Sequence, residues 1–137
     1  MEAGEYELAL RAYLRAVSEQ GENADVLSAI GSANLKLDRL GQAEQILRRA
    51  LEIEPTFVPA LNNLGVVLME QGKYGEAKLV FQQAFALDSG QSDSIRENLR
   101  LAIARFETPV YGASEQEEPV YQLLRQDEGE SILLTEL

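Results

Sequence analysis

Apolar side chains recur along this chain with a period of 34 residues. Within each period, apolar positions three or four residues apart predict two amphipathic helices. The matching positions are Leu27, Ile30, Gly31, Leu40, Ala43, Leu47, Ala50 and Ile53 in one period, and Leu61, Leu64, Gly65, Tyr74, Ala77, Phe81, Ala84 and Leu87 in the next. Such a period is typical of stacked helical hairpins. The two glycines predict close approach of the paired helix backbones.

Helix-ending residues place two complete repeats at residues 24–57 and 58–91. Pro55 follows the second helix of the first repeat, where its missing N–H stops the helical hydrogen bonding. In the second repeat, Pro59 suits the first turn of a helix, and Gly72 separates the two helices. Each repeat is therefore predicted to be one helical hairpin.

The pattern extends beyond the two repeats in both directions. Residues 1–23 align with the second helix of the repeat. We therefore expect them to be the second helix of a truncated repeat, preceded by more repeats or an export signal. Residues 92–106 are expected to form a capping helix that covers the last hairpin. Ser94 and Glu97 have the spacing of a capping box, which predicts where this helix begins.

Residues 107–137 depart from the repeat and combine acidic with apolar side chains. Two apolar runs flank Asp127, Glu128 and Gly129, which predicts a β-hairpin or an extended course. A helix that begins at Ser114 is the competing interpretation. Burial of an apolar side chain contributes about 1.5–3 kcal/mol. We therefore expect this tail to dock on a repeat surface, either of its own chain or of a neighbouring protomer.

The net charge of −11 is concentrated in the tail. Residues 1–106 hold fifteen acidic and eleven basic side chains, whereas residues 107–137 hold eight acidic side chains and one basic side chain, Arg125. Nucleic acids and anionic membranes attract basic surfaces, so this balance argues against both as partners. No apolar run reaches the ~18 residues that would indicate a membrane-inserted helix.

Cysteine and histidine are absent, which excludes thiolate and imidazole catalysis and a zinc site of the usual composition. Carboxylates remain available for acid–base chemistry, but an open groove shifts their pKa little, and no nucleophile–base pair is visible. We therefore expect a protein that is not an enzyme and that uses no cofactor or metal.

These features together resemble the tetratricopeptide repeat (TPR) family over residues 4–106. The resemblance is carried by Leu61, Asn62, Asn63, Leu64 and Gly65, then Gly72, Lys73, Tyr74, Gly75, Glu76 and Ala77, then Phe81 and Ala84. It implies an all-α superhelix of about 2.5 hairpin repeats, followed by the capping helix and the extended or hairpin tail. Asn34, Asp38 and Ser89 depart from the family pattern, and each departure is conservative for packing.

The resemblance also implies a concave groove that is lined mainly by first helices. The candidate lining residues are Asp25, Ser28, Ala29, Ser32, Asn62, Asn63, Val66, Met69, Arg96 and Arg100. Asn63 is the strongest candidate for a peptide contact, because its amide group both donates and accepts hydrogen bonds.

Some family members hold the C-terminal carboxylate of chaperones in a clamp of basic and asparagine side chains. Here Ser28 and Ser32 stand at first-helix positions that the clamp would make basic, and Asp93 and Glu97 stand where the last repeat would supply further bases. Only Asn63 fits, so we do not expect this clamp.

The leading functional hypothesis is a non-catalytic scaffold or adaptor that binds a protein, as a peptide or a helix, in its groove and helps to assemble a larger complex. The alternative is a self-inhibited regulatory or co-chaperone-type module, whose tail occupies the groove or a neighbouring protomer. A homodimer through the exposed first helix or the tail is a further hypothesis.

A narrower resemblance is carried by residues 62–68 and 98–105, together with the short tail. These stretches are similar to the TPR lipoproteins of the tight-adherence (Tad/Flp) pilus assembly machinery. The resemblance implies a role in pilus or secretion complex assembly and a place on the periplasmic side of the outer membrane. Without it, we would expect a cytoplasmic protein.

Overall fold

The computed structural model describes residues 3–108 as six α-helices, and no strand occurs among these residues. The helices are α1 Ala3–Gln20, α2 Ala24–Lys36, α3 Leu40–Ile53, α4 Val58–Glu70, α5 Tyr74–Leu87 and α6 Asp93–Glu107. The prediction of an all-α stack of helical hairpins is therefore confirmed. The interpretations of the tail as a hairpin, an extended segment or a helix lie outside the described residues.

Each helix packs against the helix that follows it, so the chain zigzags between two layers. The inner layer consists of α2, α4 and α6, and the outer layer of α1, α3 and α5. Within the inner layer α2 contacts α4 and α4 contacts α6, whereas the backbones of the outer helices stay apart over residues 3–108. Because the inner helices are closer together, the stack curves and its concave side is the inner layer.

A glycine on the first helix of each hairpin lets the second helix come close. A Cβ atom added to Gly31 would lie 2.6 Å from Leu47, and one added to Gly65 would lie 2.3 Å from the ring of Phe81. Real Cβ atoms do not approach other heavy atoms so closely. The large side chain of each second helix therefore fills the space that the glycine leaves, and Leu47 and Phe81 are fully buried.

The connections between helices use residues that tolerate unusual backbone angles. Gly72 adopts a φ of 79°, and Asp38, at the equivalent position of the preceding hairpin, adopts a φ of 62°. Aspartate is among the few residues with a side chain that enter this left-handed region readily. The departure from glycine at Asp38 therefore leaves the turn intact.

The predicted capping box at the start of α6 is wrong. Ser92, two residues before Ser94, is the N-cap, and its hydroxyl accepts a hydrogen bond from the backbone N–H of Ile95 at 3.2 Å. The side chain of Asp88 accepts hydrogen bonds from the N–H groups of Gly90 and Ser92 and holds the preceding turn. This turn fixes the start of the helix before Ser94 is reached.

Ion pairs connect successive repeats on the outer layer. Arg48 on α3 reaches Glu76 on α5 at 2.7 Å and Glu44 on its own helix at 2.9 Å. Burial raises the pKa of Glu44, but hydrogen bonds from Arg48 and Gln71 and the charge of Lys73 outweigh burial, so this pKa lies below its ordinary value. Because exposed ion pairs contribute only about 0–1 kcal/mol, they supplement the apolar contacts between repeats.

Replacing the glycine at the closest contact tests the packing. Gly65→Ala is expected to lower the free energy of unfolding by about 1–3 kcal/mol, because the new methyl group overlaps the buried ring of Phe81. Gly41→Ala is the matched control, since nothing lies within 4 Å of its added Cβ, and alanine stabilises a helix by up to about 1 kcal/mol relative to glycine. Urea denaturation measures both, and equal midpoints for the two variants would contradict the packing.

Candidate peptide-binding groove

The repeat register aligns three stripes of side chains, one on each inner helix, on the side that we expect to form the concave surface. On α2, Asp25, Ala29 and Ser32 keep part of their surface exposed, while the neighbouring apolar residues are buried. The 34-residue repeat places Asn63 and Val66 of α4 at the positions of Ala29 and Ser32. The same register puts Asp93, Glu97 and Arg100 on α6. We call these three stripes the groove face.

The predicted site residues divide into two groups by their burial. Ser32 and Arg96 are half-buried and Arg100 is exposed, as a surface open to a ligand requires. The side chains of Ser28, Asn62, Asn63, Val66 and Met69 are at most 2% exposed. The structure thus brings the predicted residues together on one layer. Whether they contact a peptide stays a prediction.

Two asparagines form a buried polar link between α4 and α6. The Asn98 side-chain amide donates a hydrogen bond to Oδ1 of Asn62 at 3.0 Å, and Asn62 in turn lies 3.5 Å from Oδ1 of Asn63. Asn62 and Asn98 are both at most 1% exposed. A buried amide without a partner costs free energy, so this link fixes the register of α6 on α4.

Sequence reasoning missed Asn98. It follows Asn62 by 36 residues rather than 34, so aligning the repeats does not pair the two asparagines. A polar amide within the apolar stripe of α6 was the available signal, because such a residue needs a buried partner.

The two arginines predicted for the groove have different roles. Arg96 donates hydrogen bonds to Oδ1 of Asp93 at 2.6 Å and to the carbonyl oxygen of Gly90 at 3.0 Å, so it holds the first turn of α6. The side chain of Arg100 is 69% exposed and lies 3.6 Å from Glu97. Arg100 therefore has the freer guanidinium group for an incoming ligand.

Acidic side chains lie on the groove face and beside it. Asp25 lies on α2, Glu70 ends α4, and Asp93 and Glu97 lie on α6. The middle of the face is apolar or amide in character, as provided by Asn63 and Val66 together with the neighbouring Met69.

No group of three or more acidic or metal-binding side chains in residues 3–108 is arranged to hold a metal ion. In the same part of the chain, no helix is both long and apolar enough to cross a bilayer.

Comparison with known proteins identifies this architecture. Residues 2–125 match the family model described as the middle TPR-like domain of Cilia and flagella-associated protein 70. The chain belongs to this family of TPR-like domains. The predicted resemblance to tetratricopeptide repeats is thereby confirmed.

Solved TPR domains share the fold of this TPR-like domain. The Arabidopsis OM64 TPR domain superposes with a TM-score of 0.69 at 26% identity, over 77% of this chain and 84% of that one. The second TPR domain of human RPAP3, solved in complex with the HSP70 peptide SGPTIEEVD, gives a TM-score of 0.66 at 26% identity, over 73% and 82%.

A longer relative contains a similar stretch. Cellulose synthase 1 operon protein C of Komagataeibacter xylinus is 35% identical over 78 residues, which are 57% of this chain and 6% of that protein. The TPR-like domain therefore corresponds to a small part of this relative.

The asparagine link can be tested by removing one or both of its members. Asn98→Leu is expected to lower the free energy of unfolding by about 1–3 kcal/mol, because Oδ1 of Asn62 is left buried without this donor. The double variant Asn62→Leu/Asn98→Leu is expected to regain most of that loss, since both polar groups are then absent. Urea unfolding of the wild type, both single variants and the double variant measures the coupling. Additive losses would show that the link is not cooperative.

Proposed function

We propose that this TPR-like domain is a non-catalytic scaffold that binds a protein partner, as a peptide or a helix, along the groove face. The observation that carries the proposal is the curvature of the stack, which gathers one stripe from each of three helices on a single concave surface. The second TPR domain of RPAP3, which has the same fold, was solved with a peptide. Members of this repeat class act as interaction modules rather than enzymes.

The charges of the groove face point to a different ligand from that of RPAP3. The peptide in that structure ends in Glu-Glu-Val-Asp and is acidic. Arg96 and Arg100 are already paired with Asp93 and Glu97, and Ser28 and Ser32 supply no further positive charge to attract such a peptide. The preferred partner is therefore an apolar segment with neutral or basic flanks.

The absence of cysteine from the chain allows a direct test of where a partner binds. Ser32→Cys places a photo-crosslinker on the groove face, and Ser18→Cys places the same crosslinker on an exposed position of α1 in the outer layer. In extracts of the source organism, we expect discrete adducts from the Ser32→Cys protein and not from the Ser18→Cys protein. Excess peptide SGPTIEEVD is expected to leave the adducts unchanged.

Equal adducts from both positions would contradict binding in the groove. Loss of the adducts on adding SGPTIEEVD would contradict the proposed charge preference while leaving the scaffold function in place.

The setting that we propose for the scaffold is pilus or secretion complex assembly on the periplasmic side of the outer membrane. It is supported by the similarity of residues 62–68 and 98–105 to pilus-assembly lipoproteins. Mass spectrometry of the groove adducts tests this setting. Pilus or secretion-pore components would support it, and only cytoplasmic proteins among the adducts would contradict it.

A second candidate function is regulation by the tail, and the burial of α4 favours it. Ten consecutive residues from Ala60 to Met69 are buried. Ten residues span more than two turns, so every side of this part of the helix is buried. The outer layer covers one side of α4, and α2 and α6 flank it, but a curved stack leaves the concave side open. In this candidate function the segment after Thr108 lies over Asn63, Val66 and Met69 until a partner displaces it.

Removing the tail distinguishes the regulator from the plain scaffold. A chain that ends at Thr108 keeps all of α6, and in the regulator it should give several-fold more groove adduct from the Ser32→Cys protein than the full chain does. The Ser18→Cys protein, truncated in the same way, controls for changes in exposure. Equal adduct yields with and without the tail would exclude the regulator and leave the scaffold.

A further inference from the structure

The side of α4 that belongs to the groove face ends in a carboxylate. Asn63 and Val66 are each 2% exposed, and the neighbouring Met69 is 1% exposed. Glu70 follows Val66 by four residues, so it lies one helical turn further along the same side. Unlike the three residues before it on this side, Glu70 is exposed. A segment that covers this side of α4 therefore meets neutral side chains first and a negative charge at the end of the helix.

The family match extends beyond the last described helix. The last helix, α6, ends at Glu107, whereas the match covers residues 2–125 and so ends at Arg125. The part of the chain that resembles the family thus includes residues 109–125 but not residues 126–137. A segment that belongs to the domain and follows α6 is a natural candidate for the cover of α4.

The tail contains two similar apolar runs, and one of them lies within the family match. Residues 120–125 are Val-Tyr-Gln-Leu-Leu-Arg, and residues 131–137 are Ser-Ile-Leu-Leu-Thr-Glu-Leu. The first run ends in Arg125, the only basic residue of the tail, whereas the second run contains an acidic residue and no base. Apolar residues followed by a base complement a neutral surface that ends at Glu70, so the charges favour the first run.

The first run can reach α4 from the end of α6. In the repeat register Ala104 stands 34 residues after Glu70, so Thr108 lies at the same end of the inner layer as Glu70. Residues 109–119 span up to about 36 Å when extended, and the 13 residues of α4 are about 20 Å long. Residues 120–125 can therefore lie anywhere along α4 without a change in the position of α6.

We propose that residues 120–125 of the same chain occupy the groove, with their leucine pair over Val66 and Met69 and with Arg125 paired with Glu70. This inference rests on the tail-regulated function described above, and it names the segment that carries the regulation. It also defines the chemistry of the outside ligand. A partner that displaces this segment is a protein segment in which apolar residues are followed by a base.

The two leucine pairs of the tail provide a matched test. The full chain is given Val66→Cys, whose thiol is unique because the chain has no cysteine of its own, and alkylation of this thiol by N-ethylmaleimide reports how well the groove is covered. Adding Leu123→Ser/Leu124→Ser is expected to speed alkylation several-fold. Adding Leu133→Ser/Leu134→Ser removes the same apolar groups from the second run and is expected to leave the rate unchanged.

Exchange of charges tests the ion pair. In the Val66→Cys chain, Arg125→Glu and Glu70→Arg are each expected to speed alkylation, because each variant brings two like charges together. The double variant Glu70→Arg/Arg125→Glu is expected to return the rate to that of the Val66→Cys chain, since the pair is restored with its charges exchanged. Additive effects of the two substitutions would contradict the pairing.

Equal alkylation rates for the two leucine variants, or faster alkylation from Leu133→Ser/Leu134→Ser alone, would overturn the proposal. Protection that increases with protein concentration would also overturn it, because the occupant would then belong to a second copy. These outcomes leave the tail-regulated function in place when truncation after Thr108 still raises the yield of groove adducts. If truncation has no effect on that yield, the regulated function fails as well.

Discussion

The fold depends on the contact between a glycine of one helix and a large side chain of the next. Gly31 against Leu47 and Gly65 against Phe81 bring the paired backbones closer than two ordinary side chains would permit. The second helix of each hairpin packs with its other side against the following inner helix. Repetition of this arrangement builds both layers. The curvature that gathers the groove face follows from this repetition, since within residues 3–108 the backbones of the inner helices approach one another and those of the outer helices do not.

Close packing of the inner layer buries polar side chains, and hydrogen bonds between helices satisfy them. Asn62 and Asn98 join α4 to α6 in a region where a lone amide would be costly. Apolar contacts alone would tolerate small slips between the two helices, whereas a hydrogen bond between two particular amides does not. The asparagine link therefore fixes the register of α6 on α4 in a stack that the glycines have made compact.

The helices and their pairing could be predicted because each repeat has the same spacing of apolar, small and helix-ending residues. The start of α6 could not, because Ser92 and Ser94 both suit an N-cap and the choice depends on Asp88, which holds the turn before them. Asn98 was missed because its partner lies out of repeat register. The burial of Asn63 and Val66 could not be predicted either, because a periodic pattern identifies a face of a helix but not what covers that face.

Fold and specificity are separate properties in this family, and the charges of the groove show why. In the proposed function the acidic side chains at Asp25, Asp93 and Glu97 disfavour an acidic ligand, yet the chain's own segment 109–137 holds seven acidic side chains and one basic one. Charges on exposed side chains are screened over about 8–10 Å at ordinary salt, while each apolar side chain buried contributes about 1.5–3 kcal/mol. A competition between the tail and an outside partner would therefore be decided by apolar contact with the middle of the groove, with charge at its edges setting which apolar segments are admitted.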